Sequence, residues 1–308
     1  MDADMDTLAT ALYVKIDDLL TGSPDRAPWR PQVGLKPQIS DAELATLCVM
    51  QALLSFTSEA RWLRHARKSL RHLFPYLPKQ PGYNKRLRKL TGTVNWLIRQ
   101  LAMDTSLWSD DVWVDVWVVD STPIECARSR DTVRGCDLAG WVEYGYCASH
   151  SRYFWGLRLH LVATLHGLPI AFALTGAKAD ERQVLLDLLG ADPDLVTSHA
   201  GQTLIADKNY YGADFEADLT GARLRLLRPA RKGEPERDDQ RFFKPLRQTI
   251  ESIIDTGKGQ LDLERHGAHT PAGVLIRILQ RLLALTAAIW HNDKLGLPTK
   301  RSLLAYDH

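Results

Sequence analysis

The sequence predicts an α/β protein in which a mixed sheet, flanked by helices, follows an all-helical N-terminal region. Three observations lead to this class. Residues 111–119 are dense in valine and tryptophan, residues 61–99 are basic with a helical pattern, and strands alternate with helices after residue 150. We therefore expect two domains: a helical, basic region over residues 1–105, and an α/β domain with a C-terminal helix over residues 106–308.

The composition is that of a globular protein without a strong overall charge. The 308 residues carry a formal net charge of +2, so attraction to a polyanion must come from local patches. The four cysteines are far apart, and the acidic start MDADMD is unlike a secretory signal peptide. The longest apolar run, residues 274–290, is broken by arginine and glutamine and is short for a membrane span. These features predict a reduced, cytoplasmic protein.

The N-terminal region has the pattern of a series of helices. Residues 8–20 are amphipathic, and several prolines follow between residues 24 and 37. Ser40 is followed three residues later by Glu43 and then by apolar residues at helical spacing, which predicts a capping box at the start of a helix.

The stretch 61–99 contains eleven lysines or arginines and no aspartate or glutamate. Apolar residues recur at helical spacing, and prolines between residues 75 and 81 divide the stretch into two short helices. Two basic helices across a tight turn resemble a DNA-binding helical unit, although most charge runs are only solvated surfaces. The absence of acids favours a polyanion partner, for which DNA is the candidate. The expected DNA contacts in this stretch are Arg61, Arg64, Arg67, Lys68, Lys85, Arg86, Arg88 and Lys89.

After residue 105 the pattern changes. A buried strand begins at residue 111 and ends at the turn-forming sequence DSTP (residues 120–123), and a loop over 121–150 follows. Residues 153–165 and 170–174 form a hairpin across the turn HGLP. Further strands are expected over 203–206 and 224–227, and helices over 179–189, 215–219, 241–254 and 271–290. This order of strands and helices predicts a ribonuclease H-like fold.

Three acidic residues stand where this fold would bring them together. Asp120 and Asp207 end neighbouring strands, and Glu251 lies on a helix that would pack across the sheet. Mg²⁺ prefers oxygen ligands, and a pair of such ions supports phosphodiester cleavage. The sequence therefore indicates a catalytic and metal-binding site at Asp120, Asp207 and Glu251. For Asp120 the simpler alternative is a side chain that caps a turn.

Basic residues flank the third acid. Arg247 lies one helical turn before Glu251, and Lys258 lies about two turns after it. Cations at these spacings suit a metal ligand whose neighbours bind DNA phosphates. Ordinary surface ion pairs are the alternative.

These residues resemble the DDE motifs of bacterial insertion-sequence transposases. Asp120 lies in VVDSTP, Asp207 in LIADKNYYG, and Glu251 in an R-x3-E-x6-K arrangement. The longer runs EYGYCASHSRYFWGLRLHLVATLHGLP and FALTGAKADERQVLLDLL are similar to those of the insertion sequence 982 family. The resemblance begins near residue 40 and is most specific over residues 110–260.

The resemblance implies a ribonuclease H-like catalytic domain that uses two Mg²⁺ (or Mn²⁺) ions. Its activity would be cutting and joining DNA at terminal inverted repeats through a 3′-OH, in the bacterial cytoplasm at the nucleoid, as a homodimer on DNA. Arg247, Lys258 and Lys208 would contact DNA. Related transposases have a tyrosine where this chain has Lys244, so any role of that tyrosine has no counterpart here.

Other interpretations remain open. The protein could be an inactive or domesticated transposase that only binds DNA, or a metal-dependent phosphatase or nuclease; Thr122 stands where a phosphatase with Asp120 as nucleophile commonly has a second aspartate. Cys126, Cys136, Cys147 and His150 match no compact zinc spacing and are better explained as small buried or loop residues. Asp180 and Glu181 could extend the acid cluster, although Asp180 is better placed to cap the following helix.

Overall fold

A computed structural model describes the chain in segments, which form two compact units. The helical unit comprises Met1–Thr105 with Thr256–His308, and the sheet unit comprises Ser106–Asp255. The described residues are 2–30, 33–34, 36–108, 116–127, 133, 137–147, 151–235, 237, 252–253, 255, 259–263, 265–300 and 302–306.

The described part of the chain contains helices in both units and strands in the sheet unit alone. In chain order the helices are α1 (Asp2–Gly22), α2 (Asp41–Leu53), α3 (Glu59–Ser69), α4 (Gln80–Lys89), α5 (Thr91–Met103), α6 (Glu181–Gly190), α7 (Pro193–Ser198), α8 (Ala213–Gly221) and α9 (Pro271–Lys294). The strands are β1 (Trp117–Ala127), β2 (Glu143–Cys147), β3 (Arg152–Thr164), β4 (Pro169–Gly176), β5 (Thr203–Ile205) and β6 (Arg225–Leu227).

The N-terminal helices follow the sequence patterns closely. The predicted capping box is confirmed: the Ser40 hydroxyl accepts the Glu43 backbone N–H, and the Glu43 carboxylate accepts the Ser40 N–H. The two basic helices are α3 and α4. Each buries one apolar face, with Trp62 in α3 and Tyr83 in α4 fully buried. A third helix, α5, begins two residues after α4 ends, so the stretch from residue 59 to 103 contains one more helix than the sequence predicted.

The C-terminal helix α9 is the centre of the helical unit. It packs against α1, α2, α4 and α5, and buried residues occur on all its sides. The sequence predicts this helix to be part of the α/β domain, whereas in the structure its apolar surface is covered by the N-terminal helices. Among the described helices α9 alone is long and apolar enough to cross a membrane, and most of that stretch is buried inside the protein.

The sheet unit contains a six-stranded mixed sheet in the order β2-β3-β1-β5-β6, with β4 also pairing with β3. β1, β5 and β6 run parallel, while β3 is antiparallel to β1, β2 and β4. The predicted β3–β4 hairpin is confirmed, and Gly167 in its turn has a φ of 84° that glycine adopts without strain. This mixed sheet with flanking helices is compatible with a ribonuclease H-like domain.

The largest difference from the sequence prediction concerns residues 120–150. β1 does not end at residue 120 but runs to Ala127, because the long strand β3 pairs with it as far as Trp155. Pro123 is tolerated there because the ladder with β5 has already ended at Val118, so that edge needs no N–H from Pro123. The predicted loop also contains a strand, β2. The helix predicted over 241–254 lies mostly outside the described residues.

Both faces of β1 are buried. On one face Trp117 and Val119 join a core formed with α6, α7 and α8. On the other face Val118 packs with Ile205 of β5. Alternation along the strand places Asp120 on the face of Val118.

We predict that Glu59→Ala destabilises the helical unit by about 3 kcal/mol. Glu59 at the start of α3 is ion-paired with Arg277 of α9, and only 15% and 8% of the two side chains are exposed. Removing the carboxylate leaves a buried guanidinium without its anion. Urea unfolding followed by circular dichroism measures the effect.

Asp25→Ala is the matched control, because the Asp25–Arg26 pair is 74% and 56% exposed; its effect should stay below about 0.5 kcal/mol. Replacing both buried partners, as Glu59→Ala with Arg277→Met, should recover much of the stability. Equal stability of Glu59→Ala and the wild type would contradict this account.

Candidate active site

Asp120 and Asp207 lie at the same level on neighbouring parallel strands. In the ladder between β1 and β5, Val118 is opposite Ile205. Asp120 comes two residues after Val118, and Asp207 comes two residues after Ile205. Continuing the register therefore puts the two aspartates side by side, just past the end of β5.

Asp120 is a partly buried residue within β1 rather than at the end of the strand. It lies opposite Leu161 of β3, and its Oδ1 accepts the backbone N–H of Ser121 at 2.7 Å. The ladder with β5 has ended two residues earlier, and past that point no described strand pairs with β1 on that side. The end of this ladder, and not the end of β1, is where the sheet leaves room for a crevice.

Asp207 lies in the turn that follows β5. Its carboxylate accepts the Asn209 backbone N–H at 2.8 Å and the Asn209 side-chain amide at 2.9 Å. Burial raises the pKa of Asp207, and the negative charge of Glu181 raises it further, whereas the Asn209 N–H and Lys208 act in the opposite direction. A cation beside Asp207 would relieve the cost of burying its charge. Lys208 itself is exposed.

Glu181 is a further acid of this site. Its Oε1 accepts the Ser121 hydroxyl at 2.6 Å and an Arg158 N–H at 2.7 Å, and Arg158 also donates to the Ser121 hydroxyl at 2.9 Å. Ser121 is the neighbour of Asp120, so this network lies beside the first aspartate. Asp180 has the capping role that the sequence suggested, since it accepts the Arg182 and Gln183 N–H groups at the start of α6.

Tyr210 shows that the acids share one environment. This tyrosine is buried, and burial raises its pKa well above the usual value, with smaller contributions in the same direction from Glu181, Asp120 and Asp207. All three carboxylates therefore act on one phenol group. The sequence indicates Glu181 as a possible member of the acid cluster, because it lies in the adjacent pair Asp180-Glu181. No sequence pattern indicates that Tyr210 belongs to the site.

His160 is a buried, neutral neighbour of the site. It pairs with Ser121 across the β1–β3 ladder, and its Nε2 is 2.9 Å from the Thr175 hydroxyl. Burial, with the charge of Arg158 as a smaller cause, lowers the pKa of His160 to about 4. The imidazole is therefore uncharged at neutral pH.

The remaining predicted residues near the third acid lie outside the described residues: Glu251, Arg247 and Lys258. Two residues after Glu251, the side chain of Ile253 lies close to Gly167 in the β3–β4 turn. Within the described segments, no three His, Cys, Asp or Glu side chains form a metal-binding group. Cys126 is a partly buried and Cys147 a buried reduced cysteine, and Cys136 and His150 are not among the described residues.

The basic residues of α3 and α4 fall into two classes. Arg86 donates to the Ile39 carbonyl at 2.6 Å and to Asp41 at 2.8 Å, and Arg67 donates to the Pro78 carbonyl at 2.7 Å. These two arginines stabilise the helical unit. The other six are exposed and form no ion pair with another described residue: Arg61, Arg64, Lys68, Lys85, Arg88 and Lys89.

Comparison with known proteins identifies a family for this chain. The sequence matches the family model of the transposase DDE domain over residues 115–287, which is more than half of the chain. No curated protein and no solved structure matches it significantly. The matched region includes Asp120, Asp207 and Glu251.

We predict that His160 makes the protein less stable in mild acid. The unfolded chain takes up a proton as the pH falls through 6.5, whereas folded His160 does so only near pH 4. The contribution of neutral His160 to the free energy of unfolding is therefore complete above pH 6.5. It is lost as the pH falls towards 4, which lowers the free energy of unfolding by about 3 kcal/mol. Urea unfolding at a series of pH values measures this change.

His160→Gln keeps a polar side chain at this position and cannot titrate. Its free energy of unfolding should fall less than that of the wild type between pH 7 and pH 4. Parallel pH profiles for the two proteins would show that His160 is not the group responsible.

Proposed function

Because the chain belongs to the DDE transposase family, we propose that it binds the terminal inverted repeats of an insertion sequence and cuts and joins DNA there. The observation that carries the proposal is the alignment of Asp120 in β1 with Asp207 in the turn after β5, which follows from the parallel register of the two strands. Acids at the end of such a ladder form a site where a DNA phosphate can approach. Similarity to the insertion sequence 982 family and a bacterial source are part of the proposal.

The donor set fits divalent ions. Asp120, Asp207 and Glu251 would be the ligands of two Mg²⁺ ions, with Mn²⁺ as a substitute, because carboxylate oxygens are the ligands that these ions prefer. The raised pKa of Asp207 supports this assignment, since its carboxylate is partly buried and lies near another acid, Glu181. When bound, the ions would stabilise charge on the reacting phosphate and activate the attacking oxygen.

The protein's own residues would align the DNA strand. Ser121 donates its backbone N–H to Asp120, and Asn209 donates two hydrogen bonds to Asp207, so each carboxylate has a fixed orientation. Water would cut the strand at the end of the element and leave a 3′-OH, which would then attack a target phosphodiester in line. Arg247, Lys258 and Lys208 would contact the phosphates next to the cleaved bond.

The helical unit would bind the DNA duplex. Its exposed cations on α3 and α4 suit phosphate contacts, which give affinity without reading sequence. Arg67 and Arg86 would contribute indirectly, because both already bind groups of the helical unit itself. Binding of two element ends requires two copies of the chain, so we propose a homodimer on DNA, located in the cytoplasm.

We predict that Asp207→Asn abolishes Mg²⁺-dependent nicking of a labelled duplex that bears the terminal repeat. The substitution keeps the size of the side chain and removes its charge, so cleavage should fall by about a thousandfold or more, as expected when several kcal/mol of transition-state stabilisation are removed. DNA binding, measured by electrophoretic mobility shift, should remain.

Asp194→Ala, which changes an exposed acid in the same unit, should cleave like the wild type. Equal cleavage by Asp207→Asn would mean that the acid site lies elsewhere. Binding without cleavage by the wild type would support a protein that only binds DNA, and hydrolysis of a small phosphomonoester would support a phosphatase.

We predict that the triple variant Arg61→Ala/Arg64→Ala/Lys68→Ala binds duplex DNA more weakly and with a smaller dependence on salt. Each cation that no longer neutralises a phosphate should reduce the slope of log K against log salt by about 1. Fluorescence anisotropy at several salt concentrations measures both changes. Lys300→Ala, an exposed cation elsewhere in the helical unit, is the control and should leave the slope unchanged. An unchanged slope in the triple variant would show that α3 does not bind phosphates.

A further inference from the structure

The hairpin of β2 and β3 has an unusual outward face. On its inward face Phe154 and Cys147 are buried together with Ala177. The outward face of such an antiparallel pair is normally polar. Here the alternation of the strands places Tyr144, Tyr146 and Tyr153 on it instead.

These three tyrosines are exposed to solvent. Their exposed fractions are 52% for Tyr144, 48% for Tyr146 and 77% for Tyr153. Tyr146 and Tyr153 are opposite each other across the two strands, and their ring centroids are 5.0 Å apart. Trp155, which is opposite Tyr144 on the same face, is buried, so the exposed part of this face consists of the three tyrosine rings. A group of exposed aromatic rings marks a binding surface.

Tyr146 also borders a cavity of about 340 Å³ that extends from the hairpin to the Asp207 turn. Asn209, which donates two hydrogen bonds to Asp207, lines its far side. The cavity is therefore continuous with the proposed active site. Its other lining residues are Arg158, Ala177, Lys178, Ala179, Asp180, Glu181, Arg182 and Tyr211.

The cavity contains more positive than negative side chains. Its two acids are already ion-paired with arginines of the same cavity: Asp180 with Arg182 at 2.6 Å, and Glu181 with Arg158 at 2.7 Å. The Lys178 side chain is 69% exposed, and its ammonium group lies 3.6 Å from the Glu143 carboxylate, which also accepts the Lys178 backbone N–H at 3.0 Å. The cavity thus offers a cation for a phosphate group, next to a tyrosine ring on which a base can stack.

We propose that the tyrosine face of the β2–β3 hairpin binds an unpaired strand of DNA, with bases stacked on Tyr146 and Tyr153 and the backbone directed along the cavity towards Asp207. This inference rests on the proposed function, because it assigns the site for the single-stranded part of the same substrate. Stacking on exposed rings requires bases that are free of a partner strand, so the occupant is an unpaired strand rather than a duplex.

The experiment compares binding of labelled oligothymidylate and of a duplex of equal length, by fluorescence anisotropy, with no divalent ion present. Tyr146→Ala/Tyr153→Ala should weaken binding of the single strand by about tenfold to a hundredfold, as expected when base stacking is removed. Binding of the duplex should change by less than about twofold. Tyr146→Phe/Tyr153→Phe keeps both rings and should bind the single strand like the wild type.

Tyr76→Ala, an exposed tyrosine of the helical unit, is the matched control. Unchanged single-strand binding by the double alanine variant would overturn the proposal. An equal weakening of single-strand binding in the phenylalanine variant would also overturn it. A third contradicting result is a double alanine variant that binds DNA normally but sediments with a different oligomeric state, because this face would then be a contact between copies of the chain. This binding assay uses neither a metal ion nor the terminal repeat, so it is independent of the nicking assay. If the protein binds the single strand but cannot nick its repeat, the proposed function is wrong and the proposed single-strand surface still holds.

Discussion

The geometry of the candidate site depends on the parallel pairing of β1 with β5. This ladder is only two residue pairs long, Trp117 with Leu204 and Val118 with Ile205, yet both faces of it are buried. A slip of β5 by one residue would move Leu204 out of one core and Ile205 out of the other. The burial of these apolar side chains therefore fixes the register, and the register brings Asp120 level with Asp207.

The described residues around Asp120 and Asp207 make a bound cation favourable, and their own positive charges do not take its place. Burial already raises the pKa of Asp207, and Glu181 adds to this effect. Arg158 balances Glu181 directly, at 2.7 Å, and Lys208 slightly lowers the pKa of Asp207, while two further described neighbours, Tyr210 and His160, are neutral at pH 7. Arg158 is thus committed to the additional acid. The hydrogen bonds described above for Asp120 and Asp207 come from N–H groups of Ser121 and Asn209, which orient a carboxylate without neutralising it.

Elements that depend on neighbouring residues follow the sequence prediction, whereas elements that depend on pairing between distant residues do not. The capping box at Ser40 and the hairpin around Gly167 depend on residues close in the chain, and both are confirmed. The sequence DSTP after β1 has the composition of a turn, but pairing with β3 keeps it extended. The tyrosine face was missed for the same reason, since β2 lies in a segment that the sequence predicted to be a loop. The sequence alone predicts DNA contact for both Lys85 and Arg86. Only the structure shows that Arg86 is ion-paired with Asp41 inside the helical unit.

The division of the chain into units also has a physical consequence for the basic helices. The family match ends at residue 287, inside α9, yet α9 is the core of the helical unit rather than part of the sheet. Arg277 of α9 is ion-paired with Glu59 at the start of α3, and the Gln280 amide donates to the Cys48 carbonyl in α2 at 2.7 Å. Both interactions are buried, and neither could form if the chain ended before residue 271. The orientation of the basic surface of α3 therefore depends on a helix more than 200 residues later in the sequence, and the boundary of sequence similarity is not the boundary of a folding unit.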